Sequence, residues 1–227
     1  MNSEHVYRNE YKYIISSSEL EILQNRIQTL AEIDRHAQEK SYYNVRSLYF
    51  DDYENSCFYD NENGVDNRDK YRARIYDGNA DRIFLEIKHK ERGLGYKDSV
   101  SIERGMLEQY LSDDLLISGN QVINRYVLLK RQEGLHPVII VDYDRIPYVY
   151  EHGNVRVTFD TNISSSTNIY TFFNREILKR PIMPKGKHIM EVKFDGFLPD
   201  VIKQVLNLGE LRRTSFSKYY LCRKYSI

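Results

Sequence analysis

The chain has little cysteine, no tryptophan, no excess of either charge and no long hydrophobic run. Cys57 and Cys222 are far apart and have no second pair beside them, so neither a disulfide framework nor a Cys-ligated zinc site is implied. Both read as reduced packing thiols. Lysine plus arginine number 33 and aspartate plus glutamate 33. That balance argues against a protein held on nucleic acid by bulk positive charge, and any anion site must be local. No stretch of about 18 apolar residues exists to cross a bilayer as a helix. The six histidines are scattered, without the close spacings of a zinc site. Carboxylates are left as ligands for any metal, which makes a hard cation, Mg or Mn, the one to expect. Met1 to Glu10 is polar and carries neither a secretory nor a lipidation signal, so the expected address is the cytoplasm. No repeat or Pro/Gly/Ser-rich linker divides the sequence, and residues 1–227 are expected to build one domain with a sizeable core.

Helices are few and legible. Ser18 followed by Glu21 forms a capping-box pattern ahead of Leu20, Leu23, Ile27 and Leu30, an apolar stripe expected to run to about Ile33. Asn120 to Glu133 reads as a second helix, with Val122, Ile123, Tyr126, Val127 and Leu129 on one face. Pro199 suggests the start of a third, and Ser217 to Tyr225 a fourth. Ser164 to Asn168 reads as a small-polar loop.

The remainder alternates with period two, the mark of strands with one apolar and one polar face. The runs are Val6 to Ile15, Asn44 to Asp51, Lys70 to Tyr76, Arg82 to Lys88, Lys97 to Glu103, Val138 to Tyr148, Val155 to Asp160 and Lys187 to Phe194, with Asp77 to Ala80 as a hairpin turn. So many antiparallel strands invite closure into a barrel, which removes exposed edges.

The polar faces are unusual. Arg8, Glu10 and Lys12 share one face, because side chains at i, i+2 and i+4 point the same way. Lys70, Arg72 and Arg74 do so on another strand, as do Glu86 with Lys88, Arg156 with Thr158 and Asp160, and Glu191 with Lys193. One charged strand face is ordinarily a solvated one, but five with Arg and Glu at their centres suggest an inward lining. Cations packed together repel and lose hydration, so such a lining needs a polyanion and a metal to neutralise it. A chain of phosphates fits: Lys and Arg bind phosphate oxygens, and carboxylates hold the bridging cation. The 20 tyrosines are expected to pack an outer wall against helices, and none is assigned to a nucleotide base.

These blocks together resemble the VTC-type polyphosphate polymerase domain of the triphosphate tunnel metalloenzyme superfamily, relatives of the CYTH triphosphatases and cyclases. The resemblance covers nearly the whole chain. It rests on Arg8-x-Glu10-x-Lys12-Tyr13, Val45 to Asp51, Tyr71 to Tyr76, Phe84 to Lys88, Tyr143-Asp144-Arg145, Arg156 to Asp160, Met190 to Phe194 and Phe216 to Tyr220. It implies an α+β fold: a closed antiparallel β-barrel, the triphosphate tunnel, with helices packed outside. By the same resemblance the phosphate-handling residues are Lys12, Arg72, Arg74, Lys88, Arg145, Arg156 and Lys218. Glu191 is the implied metal ligand, with Glu10 and Glu86 secondary, and Arg8, Lys70, Lys97 and Lys193 are further substrate contacts. Arg145 shares the parity of Ile139, Val141 and Tyr143, which by itself reads as structural, and Asp51 and Asp160 read as strand-end capping residues.

Two departures matter. The fifth strand offers Lys97 and then Ser99 and Ser101 where the resemblance leads one to expect more basic residues. The resemblance does not extend to the phosphate-sensing and membrane segments of the eukaryotic polymerases, so any coupling to translocation is expected to involve a separate membrane partner. No Ser or Cys nucleophile with an adjacent base is apparent, so direct transfer from ATP to polyphosphate is expected, without a covalent enzyme intermediate. Two alternatives stay open. One is a tripolyphosphatase or nucleoside triphosphatase, which in this superfamily resembles Glu-x-Glu-x-Lys where Arg8 stands here. The other is a polyphosphate or inositol phosphate sensor without turnover.

Overall fold

The computed structural model describes residues 7–112 and 117–226. Its elements, in chain order, are β1 (Asn9–Ser16), α1 (Ser17–Ile27), β2 (Glu32–Ile33), β3 (Tyr43–Asp51), α2 (Ser56–Glu62), β4 (Arg68–Tyr76), β5 (Asn79–Glu91), β6 (Leu94–Ile102), α3 (Arg104–Leu111), α4 (Gln121–Glu133), β7 (His136–Tyr150), β8 (Val155–Ser166), β9 (Arg180–Pro181), β10 (Lys187–Phe194), α5 (Asp200–Val205) and α6 (Lys218–Lys224). Single 3-10 turns lie at Arg35–Ala37 and Ile169–Thr171. The strand order is β1-β10-β8-β7-β3-β4-β5-β6, with β2 beside β7 and β9 beside β8. This is the expected α+β class, an antiparallel sheet whose apolar strand faces carry the helices.

The chain divides into two compact units. The first comprises Met1–Asn44, Tyr143–Ser164 and Pro181–Ser217; the second comprises Val45–Asp142, Ser165–Arg180 and Lys218–Ile227. In the first, Tyr13, Ile15, Val157, Phe159, Met190 and Val192 point to one side and pack with Leu23 and Ile27 of α1 and Ile202 of α5. In the second the core is aromatic: Phe50 of β3 and Tyr71 of β4 meet Tyr126 of α4 edge to face, and the Tyr126 hydroxyl donates to the Glu86 carbonyl at 2.9 Å. Edge-to-face contact sets the positive ring edge against the negative face. With the apolar faces committed to the helices, the charged residues of each unit are left on the other face of its strands.

Local chemistry explains where expectation and structure part. The N-cap of α1 is Ser16, not Ser18, and its partner is Glu19, whose carboxylate accepts from the Ser16 amide at 2.6 Å. Ser16 still has extended backbone from β1, as an N-cap requires, so the earlier of the two overlapping boxes wins. The helix ends at Ile27, and Ile33 lies in β2, where it pairs with Tyr148 of β7. Ser164, Ser165 and Ser166, expected in a loop, extend β8 and are buried. The hairpin between β4 and β5 has only Asp77 and Gly78 in its turn, both at positive φ, the form whose twist matches the flanking strands. The expected first strand begins at Val6, outside the described residues; β1 is assigned from Asn9.

Candidate functional site

In the first unit the register of three strands aligns Lys12 (β1), Glu191 (β10) and Thr158 (β8) in one row, and Glu10, Lys193 and Arg156 in the next. Glu191 is 4% exposed. One of its oxygens lies 3.5 Å from Lys12 Nζ, and the other lies 3.5 Å from Arg145 and 3.9 Å from Lys193 Nζ. Glu10 shares both lysines, at 3.7 Å from Lys12 and 3.4 Å from Lys193. Lys12 is further held by the Phe216 carbonyl at 2.9 Å. Glu10 and Glu191 favour the charge on Lys193, but burial and the neighbouring Arg145 and Lys12 outweigh them and leave this ammonium below the usual lysine range.

Arg145 stands on the side of β7 opposite Ile146, Tyr148 and Tyr150, which pack on the core. Its guanidinium forms two hydrogen bonds to Asp160, at 2.7 and 2.8 Å, while reaching Glu191. Its parity with Ile139, Val141 and Tyr143 was uninformative because β7 is buried on both faces through that stretch. Arg156 donates to the Tyr43 hydroxyl and pairs with Asp34, both at 2.9 Å, while its buried Nε makes no hydrogen bond. Arg8 is turned to Asp195 at 2.8 Å and to the Asn154 carbonyl.

In the second unit Tyr49, Arg72 and Glu86 share a row across β3, β4 and β5, and Ser47 and Arg74 pair one step along. Lys70, Lys88 and Lys97 form a third row, all cationic, across β4, β5 and β6. Glu86 is 1% exposed, and its carboxylate is wholly occupied: Arg72 Nε at 2.7 Å and Arg74 at 3.8 Å on one oxygen, Lys97 on the other. Burial works against its charge, yet Arg72, Arg74 and Lys97 together hold the carboxyl well below the usual range. Lys70 donates to Asn61 at 2.6 Å. Lys218 opens α6 and is buried, near enough to Tyr49 to bear on its ionisation.

Several site residues went unassigned in the sequence. Ser47 accepts from Arg74 at 3.1 Å, Tyr49 from Arg72 at 3.0 Å and Tyr43 from Arg156, so these tyrosines support the charged rows and not an outer wall. The alternation of Ser47 and Tyr49 along β3 was the available signal. The more conspicuous Arg46 lies on the other face, on Asp142 at 2.9 Å and the Phe172 carbonyl at 3.1 Å. Asp160 binds Arg145. Asp51 caps α2 by accepting from the Cys57 and Phe58 amides at 2.9 and 3.2 Å, and takes the Tyr219 hydroxyl as well.

Among the described residues no three His, Cys, Asp or Glu side chains are grouped to hold a metal. The carboxylate pair Glu10 and Glu191, linked by two lysines, sits beside the Thr158 hydroxyl, whose buried oxygen makes no hydrogen bond. Two carboxylates and a hydroxyl suit an Mg-like or Mn-like ion that completes its shell with water and substrate phosphates. Glu86, saturated by three cations, does not suit one.

A family model described as the VTC domain matches residues 7–227. The chain belongs to the VTC domain family. No curated protein matches it. Among solved structures, a Hippeastrum protein reported as a candidate adenylyl cyclase with a dominant triphosphatase activity is similar at TM-score 0.58 and 14% identity, over 96% of this chain and 95% of that one. A candidate adenylate cyclase from Vibrio parahaemolyticus gives TM-score 0.54 at 10% identity, covering 97% and 99%. A third, from Bacillus halodurans, gives 0.53 at 14%, covering 92% and 95%. At these identities the likeness is one of fold. No helix among the described residues of this VTC domain is long and apolar enough to cross a membrane.

Proposed function

We propose that this VTC domain is a polyphosphate polymerase that transfers the γ-phosphoryl group of ATP to a growing polyphosphate chain. The observation that carries the reading is the alignment of cations on neighbouring strands of the second unit. Lys70, Lys88 and Lys97 align in one row across β4, β5 and β6, Arg72 and Arg74 lie on the same face of β4, and Glu86 in the row beside them is already occupied by Arg72, Arg74 and Lys97. Cations so placed repel one another, and a polyanion relieves them.

Arg72 and Arg74, held in place by Glu86, Tyr49 and Ser47, present donors to phosphate oxygens, with Lys88 and Lys218 adding charge. In the first unit Lys12, Lys193, Arg145 and Arg156 bind phosphoryl oxygens, while Glu191 and Glu10 hold Mg or Mn. When bound, that cation neutralises charge on the transferring phosphoryl group. A terminal phosphate oxygen of the acceptor attacks the γ-phosphorus, the bond from that phosphorus to the β–γ bridging oxygen breaks, and ADP leaves with the electron pair. The attacking oxygen is already anionic, so the protein must supply alignment and charge more than a general base. Residues 1–227 work as one domain in this reading, in the cytoplasm, with a separate membrane partner taking up the product.

Hydrolysis of a triphosphate is the second reading, favoured by the triphosphatase activity reported for the Hippeastrum structure. Against it stands Arg8, bound to Asp195 at the position where an extra carboxylate would support metal near an attacking water. The deciding experiment incubates the protein with ATP and Mn and follows ADP, free phosphate and polymer length together, beside Glu191→Ala. ADP with long polymer, lost in the variant, supports the polymerase. Free phosphate without polymer supports the hydrolase, and tight tripolyphosphate binding without turnover supports a sensor.

A further inference from the structure

We propose that Tyr49 contacts the substrate directly, its hydroxyl accepting a hydrogen bond from Arg72 and giving its own proton to a phosphoryl oxygen. The inference rests on the reading of the second unit's cations as a phosphate site.

The geometry is specific. Tyr49 lies opposite Arg72 in the β3–β4 register, on the face that carries Ser47 and Arg74. Arg72 donates to its oxygen at 3.0 Å, and a guanidinium has no acceptor to offer in return. The phenol must therefore send its proton elsewhere, and it donates to none of the described residues. The ring is buried and fixed, 5.1 Å from the Tyr219 ring. A buried donor with no acceptor loses hydrogen-bond energy, which is sensible where a ligand oxygen supplies the missing partner.

The surroundings add a second, independent property. The charged and titratable groups bearing on the phenol are Arg72 and Arg74 from β4, Glu86 of β5 through its bond to Arg72, and Lys218 and Tyr219 from α6. Burial pushes the phenol's pKa up, but Arg72, Arg74 and Lys218 outweigh burial and bring it below the ordinary tyrosine value. A lowered pKa makes the phenol a stronger donor to a phosphate anion. It also makes the donor vanish as pH rises, where a phenolate would instead repel that anion.

The test measures binding of inorganic tripolyphosphate to the full chain by calorimetry from pH 7 to pH 10, for the wild type and Tyr49→Phe. At pH 7.5 the variant is expected to bind about tenfold more weakly, the loss of one hydrogen bond to a charged group. Toward pH 10 the ratio should fall to one or invert, since only the wild type has a phenol to ionise at this position. A pH-independent ratio would mean that Tyr49 merely positions Arg72, and equal affinities throughout would mean that it does nothing at the site; either overturns the inference. Wild-type protein that binds no tripolyphosphate overturns the phosphate-site reading and the inference with it, an outcome distinct from wild-type binding that Tyr49→Phe leaves unchanged. If Tyr49→Phe does not fold, phenolate absorbance of the wild type alone decides. Tripolyphosphate should delay the ionisation of one early-titrating tyrosine, and an unchanged titration curve rejects the idea.

Discussion

Glu86→Gln keeps a side chain's shape and removes one buried charge, so its effect can be worked from the contacts. The wild-type carboxylate is 1% exposed and faces Arg72, Arg74 and Lys97. Stripping one partner from a buried ion pair costs about 3–5 kcal/mol, because the remaining charge stays desolvated and uncompensated. Two corrections lower the figure. Lys97 is 44% exposed and recovers water, and the glutamine oxygen still accepts from Arg72 as a neutral bond of about 1 kcal/mol. A loss of about 3 kcal/mol at pH 7 is expected, which for a chain of this length lowers Tm by roughly 6–12 °C. Adding tripolyphosphate should raise the variant's Tm more than the wild type's, since phosphate oxygens replace the missing carboxylate. The pH sign follows from the depressed carboxyl. The wild-type advantage is present above the unfolded glutamate range and is lost only as pH falls through the much lower folded value. Calorimetric scans of both proteins from pH 3 to pH 8 read the difference at pH 7 and the start of its decline on the acid side. A difference under about 0.5 kcal/mol at pH 7 would refute the reasoning, since that is the range of an unremarkable surface change. A difference that appears only with Mn present would restore Glu86 as a metal ligand.

Asp160→Asn should cost about 3 kcal/mol in urea unfolding, at the low end for a buried pair because Glu191 still attends Arg145. Asp160→Asn with Arg145→Met should recover part of it, and a double variant worse than the sum of the singles would contradict that pairing. His89 lies between Asp69 at 2.6 Å and Asp98 at 3.2 Å, and although burial disfavours its charge, the two aspartates raise its pKa. Its contribution to stability is therefore full below the unfolded histidine value and lost as pH rises through the folded one, so the gap between wild type and His89→Gln should be wider at pH 5.5 than at pH 9. Phe159→Ala, in the fully buried core of the first unit, should cost about 3–5 kcal/mol in the same urea assay, with tripolyphosphate affinity of the surviving folded protein little changed.

The strands were legible because period-two alternation is set by which face is buried, and in β1, β4, β5 and β10 one face belongs to the helices. The rule lost its power in β7, where both faces are buried from Ile140 to Tyr143 and Arg145 could not be told from a structural residue. It was also silent on β2, whose two residues are too few to show a period. Helix α2 escaped because it is seven residues long and its N-cap residue, Asn55, makes no capping bond; its amides are instead capped by Asp51, six and seven residues upstream at the end of β3, a spacing outside the usual capping patterns. The charged site residues stood out by type. Their supports, Ser47, Tyr43 and Tyr49, did not, because a hydroxyl on a strand is compatible with a lining, a core or solvent until its partner is known.

The two units differ in how their charges are met. In the first, Lys12, Lys193 and Arg145 are answered by Glu10, Glu191 and Asp160, and Arg156 by Asp34. Such a set can accept a divalent cation and a phosphoryl oxygen together, each offsetting the other, but gains little from either alone. In the second, Arg72, Arg74 and Lys97 converge on the one carboxylate of Glu86, and Lys70, Lys88 and Lys97 stand side by side in a row. If Glu10 and Glu191 hold a cation as proposed, two carboxylates leave most of its shell to water and phosphate oxygens, so its affinity should rise when tripolyphosphate is present.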